Sequence, residues 1–242
     1  YWHSSIQKPI NYHQNKTALC AQKHIRLIHI FEHEWNDERQ NKIIKNMLRM
    51  KLDPSKNRVI PANKCKIQNV SVEDSKEFVN KYHLQGYSNS SIRYGIYFND
   101  ELLGILTFGK SRFNKEFDYE LIRIAWKFDV VVIGGIERLF HKFIVDYNPE
   151  SIISYCDISK FIGEVYYKLG FKTSSKEKTR PNYVWVNTSS NDVLTRYQTM
   201  KQSLIDKGLG KFGDTEDEIM LALGYFKIYD CGNLRFYWTK SN

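Results

Sequence analysis

Short apolar runs of strand length alternate along this chain with segments of helical period, and that alternation predicts an α+β fold. Three stretches carry the prediction. In residues 151–172, Ile152, Ile153 and Tyr155 form an apolar run after the breaker Asn148-Pro149 and read as a buried strand. Val165, Tyr166 and Leu169 then fall at helical spacing, Gly170 supplies a left-handed cap, and Phe171 returns the chain to the core as the next strand begins. Arg93 to Phe98 and Leu102 to Phe108 are two strand-like runs joined by Asn99-Asp100-Glu101, a hairpin connection. Ser71, with Asp74 three residues on, gives a capping-box-like start to a helix that runs to about Tyr82.

The remaining elements of the middle region follow by the same reasoning. Cys65 to Val70 and Glu120 to Trp126 read as strands, and Gly134-Gly135 introduces a helix from Ile136 to Tyr147. The order from Lys64 to Asn187 is therefore β, α, β, β, β, α, β, α, β.

Charge and composition bound the function. There are 36 Lys and Arg against 27 Asp and Glu, a net charge of +9, and the basic residues are spread over the whole length. A surface of that kind meets phosphate backbones, which makes DNA the expected partner; a merely basic soluble protein is the alternative. Cys20, Cys65, Cys156 and Cys231 are widely separated and lack zinc-site spacing, so they read as reduced thiols of a cytoplasmic protein. No apolar run approaches membrane-spanning length, which removes the membrane as a partner. The chain opens on Tyr1-Trp2-His3 without a signal peptide or initiator Met, and the expectation is that an N-terminal part precedes it.

The first sixty residues predict a helix at Tyr12 to Lys23, a strand at Ile25 to Phe31 ending beside Glu32-His33-Glu34-Trp35, and a helix from about Asp37 to Met50. Asp53 to Ala62, with two prolines and several basic residues, is the expected linker. This order, opened by an aromatic-Trp-His run, resembles the second half of a PD-(D/E)XK-type nuclease of the very-short-patch-repair group, relatives of which occur among phage homing endonucleases. The resemblance covers residues 1 to about 50. It implies Mg²⁺-dependent phosphodiester cleavage, with His3 matching the active-site His and His13, Lys16 and Glu32 as nearby candidates for handling the attacking water. The family's metal-binding Asp lies upstream of the aromatic run, outside this chain, so cleavage is expected only where the upstream strands are present.

The middle region, with its Tyr-x-x-Leu-Gly-Phe ending, resembles GNAT-type N-acyltransferases in element order, and the resemblance implies a mixed-sheet fold that binds acetyl-CoA. In that family the cofactor pyrophosphate sits on backbone N–H groups at the N-terminus of the helix after the fourth strand, here Ile133, Gly134 and Gly135. The family's basic or amide residue and second small residue are replaced by Val131 and Ile136, and bulk at 136 would hinder close approach. His83-x-x-Gly86-Tyr87, Arg93-Tyr94-Gly95, Glu120-Leu121-x-Arg123 and Tyr155-x-Asp157 are similar to the Mom-type enzymes that modify adenine in phage DNA. That likeness implies His83, Tyr155 and Asp157 as catalytic candidates, with Arg112 and Arg123 for phosphate. Plain structural roles suit the same residues: Tyr155 as core, Arg123 and Glu120 as an ion pair.

After Asn187 the sequence predicts a basic helix over Asp192 to Lys207, a glycine-rich turn at 208–213 and a helix capped by Thr215 and ending at Gly224. Tyr225 to Tyr229 and Leu234 to Trp238 read as an aromatic hairpin resembling the tails of homing-endonuclease-like proteins. Arg196, Lys201, Lys211, Lys227 and Arg235 interleave with aromatics and are candidates for DNA contact, the alternative being a small aromatic-cored subdomain. The expected division is a partial nuclease-like α/β segment at 1–63, a GNAT-like domain at 64–190 and a helical and hairpin extension at 191–242. The leading expectation is a phage-type DNA-acting protein; the alternatives are an acyltransferase that modifies a DNA base or another amine, and a non-catalytic DNA-binding module.

Overall fold

The computed structural model describes residues 3–211 and 213–240, so Tyr1, Trp2 and Phe212 of the motifs above lie outside the described residues. In chain order the first elements are helices α1 (Tyr12–Gln22), α2 (Glu32–Asn36) and α3 (Glu38–Leu52), then strands β1 (Arg58–Pro61) and β2 (Lys66–Asn69). Helix α4 (Val72–Tyr82) precedes strands β3 (Ile92–Phe98), β4 (Glu101–Lys110), β5 (Tyr119–Trp126) and β6 (Val130–Ile133). Next come α5 (Gly135–Tyr147), β7 (Ser151–Asp157), α6 (Glu164–Lys168), β8 (Tyr183–Asn187) and β9 (Val193–Thr195). The chain closes with α7 (Lys201–Asp206), α8 (Glu216–Ala222), β10 (Tyr225–Tyr229) and β11 (Asn233–Thr239).

These elements form two compact units that are not contiguous in sequence. One contains residues 37–155, 163–177 and 235–242; the other contains 1–36, 156–162 and 178–234. The expected divisions after residues 63 and 190 do not coincide with either unit's boundaries.

The larger unit is built on a mixed sheet of order β11-β7-β5-β4-β3-β2. The pairs β2–β3, β3–β4 and β4–β5 are antiparallel, and β5 pairs with β7 in parallel. Alternation along β4 explains how helices cover both faces. Ile105 joins Phe78, Val79 and Ala125 in the core under α4. Phe108, three residues on and therefore on the other face, stacks on Phe143 of α5 with ring centroids 3.8 Å apart. Helix α4 starts as expected, with the Ser71 hydroxyl accepting from the Asp74 N–H.

The smaller unit holds the antiparallel sheet β10-β8-β9, closed over by α7 and α8 around Trp185, Leu204, Ile219 and Met220. Thr215 and Glu218 form the expected capping box of α8. Helix α1 is tied in by Gln14, whose amide donates to the carbonyls of Thr179 and Cys231.

Five sequence expectations are corrected. Residues 25–31 form no strand: the Ile25 N–H donates to the Cys20 carbonyl, the His29 N–H to the Ser159 carbonyl and the Phe31 N–H to the Glu34 carboxylate, so the nuclease-like α/β half lacks the sheet it needs. The expected linker is ordered, since β1 pairs in parallel with β6 from Arg58–Val130 to Pro61–Ile133. Phe171 does not begin a strand; the segment makes one bridge, Lys172–Tyr237, and the position beside β7 is taken by β11. The basic helix over 192–207 is instead β9, a turn and the short α7. The aromatic tail is not a hairpin: β10 pairs with β8, and β11 joins the large sheet. In the last four cases tertiary pairing overrides a local pattern that several partners could satisfy.

The Phe108–Phe143 stack, with both rings fully buried, yields the first prediction. Phe143→Ala should lower stability by about 3–5 kcal/mol, read from the urea midpoint at unchanged slope.

Candidate functional site

The site lies where β5 and β7 part. They pair only at Tyr119–Ile152 and Glu120–Ile153, although the strands are eight and seven residues long. At the next step the Ser154 hydroxyl donates to the Leu121 carbonyl at 2.8 Å, so a side chain occupies the place of a ladder N–H. Beyond it the facing edges of the two strands run unpaired.

A bulge in β5 sets which side chains face this opening. Thr107 pairs with Arg123 and Phe108 with Leu121, leaving Ile122 as the extra residue. Without the bulge Arg123 would point to the α5 side with Leu121. With it, Arg123 shares the α4 side with Thr107 and Ala125. Glu120 is opposite Gly109 and Ile153 beside Glu120, so the same parity puts Glu120 and Tyr155 on the α4 side as well.

The electrostatics of this group follow from burial. Glu120 is buried and takes two guanidinium bonds from Arg112, at 2.5 and 3.1 Å, while Arg112 also donates to the Ser88 hydroxyl. Arg123 donates instead to backbone, from Nε to the Gly86 carbonyl and from Nη1 to the Ile122 carbonyl, both at 2.9 Å. Burial, then the Arg112 charge, pulls the Arg123 guanidinium below its ordinary pKa. The expected pairing of Arg123 with Glu120 is thus replaced by Arg112–Glu120.

His83 sits at the C-terminal end of α4, in a loop pinned by Arg39, which donates to the carbonyls of Asn80, His83 and Leu84. Burial first, then Arg123 and Arg39, lowers the His83 pKa to about 3, so the ring is neutral. Its Nδ1 accepts the Gln85 N–H, which places the single ring proton on Nε2. In this arrangement His83 offers a donor and no free lone pair. Burial and then the Glu120 charge raise the pKa of Tyr155, so its hydroxyl keeps its proton.

The segment expected to hold a pyrophosphate is arranged differently from a loop. Ile133 ends β6, Gly134 (φ +75°) is the N-cap of α5, and Gly135 is the first helical residue. Gly134 needs the left-handed conformation. At Gly135 a Cβ would meet Trp126 and Val132 at 2.9 Å, so glycine lets the helix start close to the sheet. Ile136, whose bulk was expected to hinder close approach, is buried in the core.

The other candidates fall in the smaller unit. The rings of His3 and His13 stack at 5.2 Å, and His13 meets His29 edge-on at 5.2 Å. Lys16 acts on both His13 and His29 through its charge. Glu32 is exposed on α2 and does not join them. Asp157 accepts from the Ser159 N–H and hydroxyl and serves that local turn. Among the described residues no group of three or more His, Cys, Asp or Glu side chains is placed to hold a metal ion, so the Mg²⁺ expectation has no site here.

The residues expected to meet DNA divide sharply. Arg123 and Arg112 are engaged as described. Lys227 is buried, paired with Asp217 at 2.5 Å and set over the rings of Tyr183 and Trp185. Arg235 lies 2.9 Å from Glu177. Arg196, Lys201 and Lys211 are exposed. Among the described residues no helix is long and apolar enough to cross a membrane.

The sequence reading missed the Ile122 bulge, Ser154 and Arg39. A one-residue bulge inside an apolar strand leaves no compositional mark, and Arg39 lies 44 positions from the carbonyl of His83 that it holds.

No protein-family model and no curated protein matches the chain. Among solved structures the chain is similar to an acetyltransferase of Bacillus subtilis in complex with CoA, at 12% identity over 74% of this chain and 99% of that one, with a TM-score of 0.40. It is also similar to a GNAT family acetyltransferase of Elizabethkingia anophelis with acetyl-CoA bound, at 13% identity, the same coverages and a TM-score of 0.38. A third is an N-acetyltransferase of Staphylococcus aureus, at 15% identity over 72% and 97% of the two chains, with a TM-score of 0.33.

The histidine cluster generates a pH prediction. Burial, with help from neighbouring charges, lowers His13 and His29 from 6.5 to about 4, and burial raises Asp230 from 3.8 to about 6. Between pH 6.5 and 4 the unfolded chain binds the two histidine protons and the folded unit does not, so these groups remove stability as pH falls. Asp230 has the opposite sign between pH 6 and 3.8, but it is one group against two. Net stability should fall from pH 6.5 to 4, measured by urea unfolding, and the His13 and His29 ring resonances should still be those of neutral imidazole at about pH 5.

Proposed function

We propose that this chain is a GNAT-type N-acyltransferase that passes an acyl group from acyl-coenzyme A to an amine. The observation that carries the reading is the parting of β5 from β7 after two parallel pairs, with Arg123, Glu120, Tyr155 and His83 gathered on one side of the gap. An open gap in a buried sheet interrupts the ladder that would satisfy its backbone, an arrangement a protein retains where a ligand makes use of it.

The residues present fit the coenzyme at the start of α5. The first-turn N–H groups of a helix have no partner within it, and Gly134 adds no side chain to cover them. Glu137, in that first turn, opposes an incoming anion by its charge. Bound acyl-CoA supplies a thioester carbonyl activated toward attack by nitrogen. The chain's own groups are donors: Tyr155 holds a proton on its hydroxyl, His83 holds one on Nε2, and Arg123 holds its guanidinium protons. Glu120 is occupied by Arg112. With no free base in the group, the acceptor nitrogen has to arrive uncharged, as the exocyclic amine of a nucleobase or an aryl amine does.

Calorimetry with acetyl-CoA, followed by thiol release in the presence of a panel of amines, tests the reading. Neither heat nor thiol release would sink it. Glu137→Gln should tighten acetyl-CoA binding about two- to fivefold by removing one opposing charge from a helix N-terminus. Tyr155→Phe should lower kcat by about a hundredfold or more while leaving the acetyl-CoA affinity in place.

A further inference from the structure

Arg123 is the least compensated charge at the gap. Its side chain is half-buried, yet among the described residues no carboxylate forms an ion pair with it. The near carboxylate, Glu120, is already neutralised by Arg112, so the three groups together carry one net positive charge. Two guanidinium nitrogens are fixed on the carbonyls of Gly86 and Ile122, which orients the fork and leaves Nη2 unused. A partly desolvated cation held only by carbonyl dipoles carries a cost, and truncating the side chain would be the simpler solution for stability. His83 points the same way chemically, because its remaining ring proton sits on Nε2 and the Arg123 charge acts directly on the ring.

We infer that Arg123 is an oxyanion subsite of the acceptor cleft: the acceptor carries a phosphate or carboxylate group that Arg123 Nη2 binds, with His83 Nε2–H as a second donor. This rests on the acyltransferase reading for the word acceptor, but the anion site itself can be tested without any transfer. The same charge that attracts the oxyanion discriminates against a protonated amine, which agrees with an acceptor nitrogen that arrives uncharged.

The test uses the whole chain in two arms. In the first, inorganic phosphate and acetate are titrated separately while the Arg123 Nε–H resonance is followed, with exposed Arg196 as the internal control. A saturable shift at Arg123 and none at Arg196 supports the subsite, and the anion that acts identifies its chemistry. No shift, or equal shifts at both residues, overturns it.

In the second arm, acetyl-CoA turnover is compared for adenosine monophosphate against adenosine and for 4-aminobenzoate against aniline. The anionic member of one pair should be favoured about tenfold or more in kcat/KM, and Arg123→Met should erase the preference. Equal rates for both members in the wild-type protein overturn the proposal. If all four compounds are inert while the Arg123 resonance still saturates, the transfer reading fails and the anion site stands. Where Arg123→Met does not fold, the wild-type titration decides alone.

Discussion

Two backbone pairs and one serine decide what this sheet can do. Tyr119–Ile152 and Glu120–Ile153 hold β5 to β7, and the Ser154 hydroxyl then takes the Leu121 carbonyl that the next ladder bond would have used. A parallel pair continued to the strand ends would satisfy its backbone internally and leave nothing to offer a ligand. Ending the pairing early opens a wedge inside a layer otherwise covered by α4 and α5. The cost is small because Ser154 closes the last bond at the vertex, where water is excluded.

The bulge at Ile122 does the complementary work on side chains. A regular strand would have sent Arg123 into the Phe108–Phe143 core on the α5 side, where a guanidinium is untenable. Adding one residue between Leu121 and Arg123 moves the arginine to the α4 side, within reach of the Gly86 carbonyl, and restores the apolar alternation at Ile124 and Ala125. Arg39 makes that carbonyl a fixed partner by pinning the 83–84 backbone. The geometry around Arg123 therefore depends on contacts from α3, α4 and β5 at once, which is how a site becomes preorganised rather than assembled by its ligand.

Much of this architecture was legible in sequence where local chemistry allows one answer. Ser71 with Asp74, Thr215 with Glu218, and the glycines at 134 and 170 each fix a helix end by a bond or a backbone angle that few other residues supply. The hairpin from Ile92 to Lys110 was legible because so short a connection, which closes to the two residues Asn99 and Asp100, permits one partner. What escaped depends on partners far along the chain. Ile25 to Phe31 has the composition of a strand but no neighbouring edge to pair with. The aromatic tail has two runs suited to each other, yet β10 pairs with β8 and β11 sits in another sheet. Of the candidate residues, the structure gathers His83, Arg123 and Tyr155 in one unit.

The two units treat buried charge in opposite ways, and the contrast bears on function. In the smaller unit Lys160 is fully buried, but it has Glu34 at 2.9 Å and the Phe31 ring at 5.1 Å, so its charge is cancelled where it stands. Lys227 is treated likewise by Asp217, Tyr183 and Trp185. A pair of this kind adds little net stability but is expensive to break, and it asks nothing of a ligand. Arg123 has only carbonyl dipoles, and the nearest carboxylate is spent on another arginine. A fold that neutralises its buried lysines so thoroughly has no stability reason to leave one guanidinium uncancelled at the edge of an open wedge, so the reason has to come from what enters that wedge.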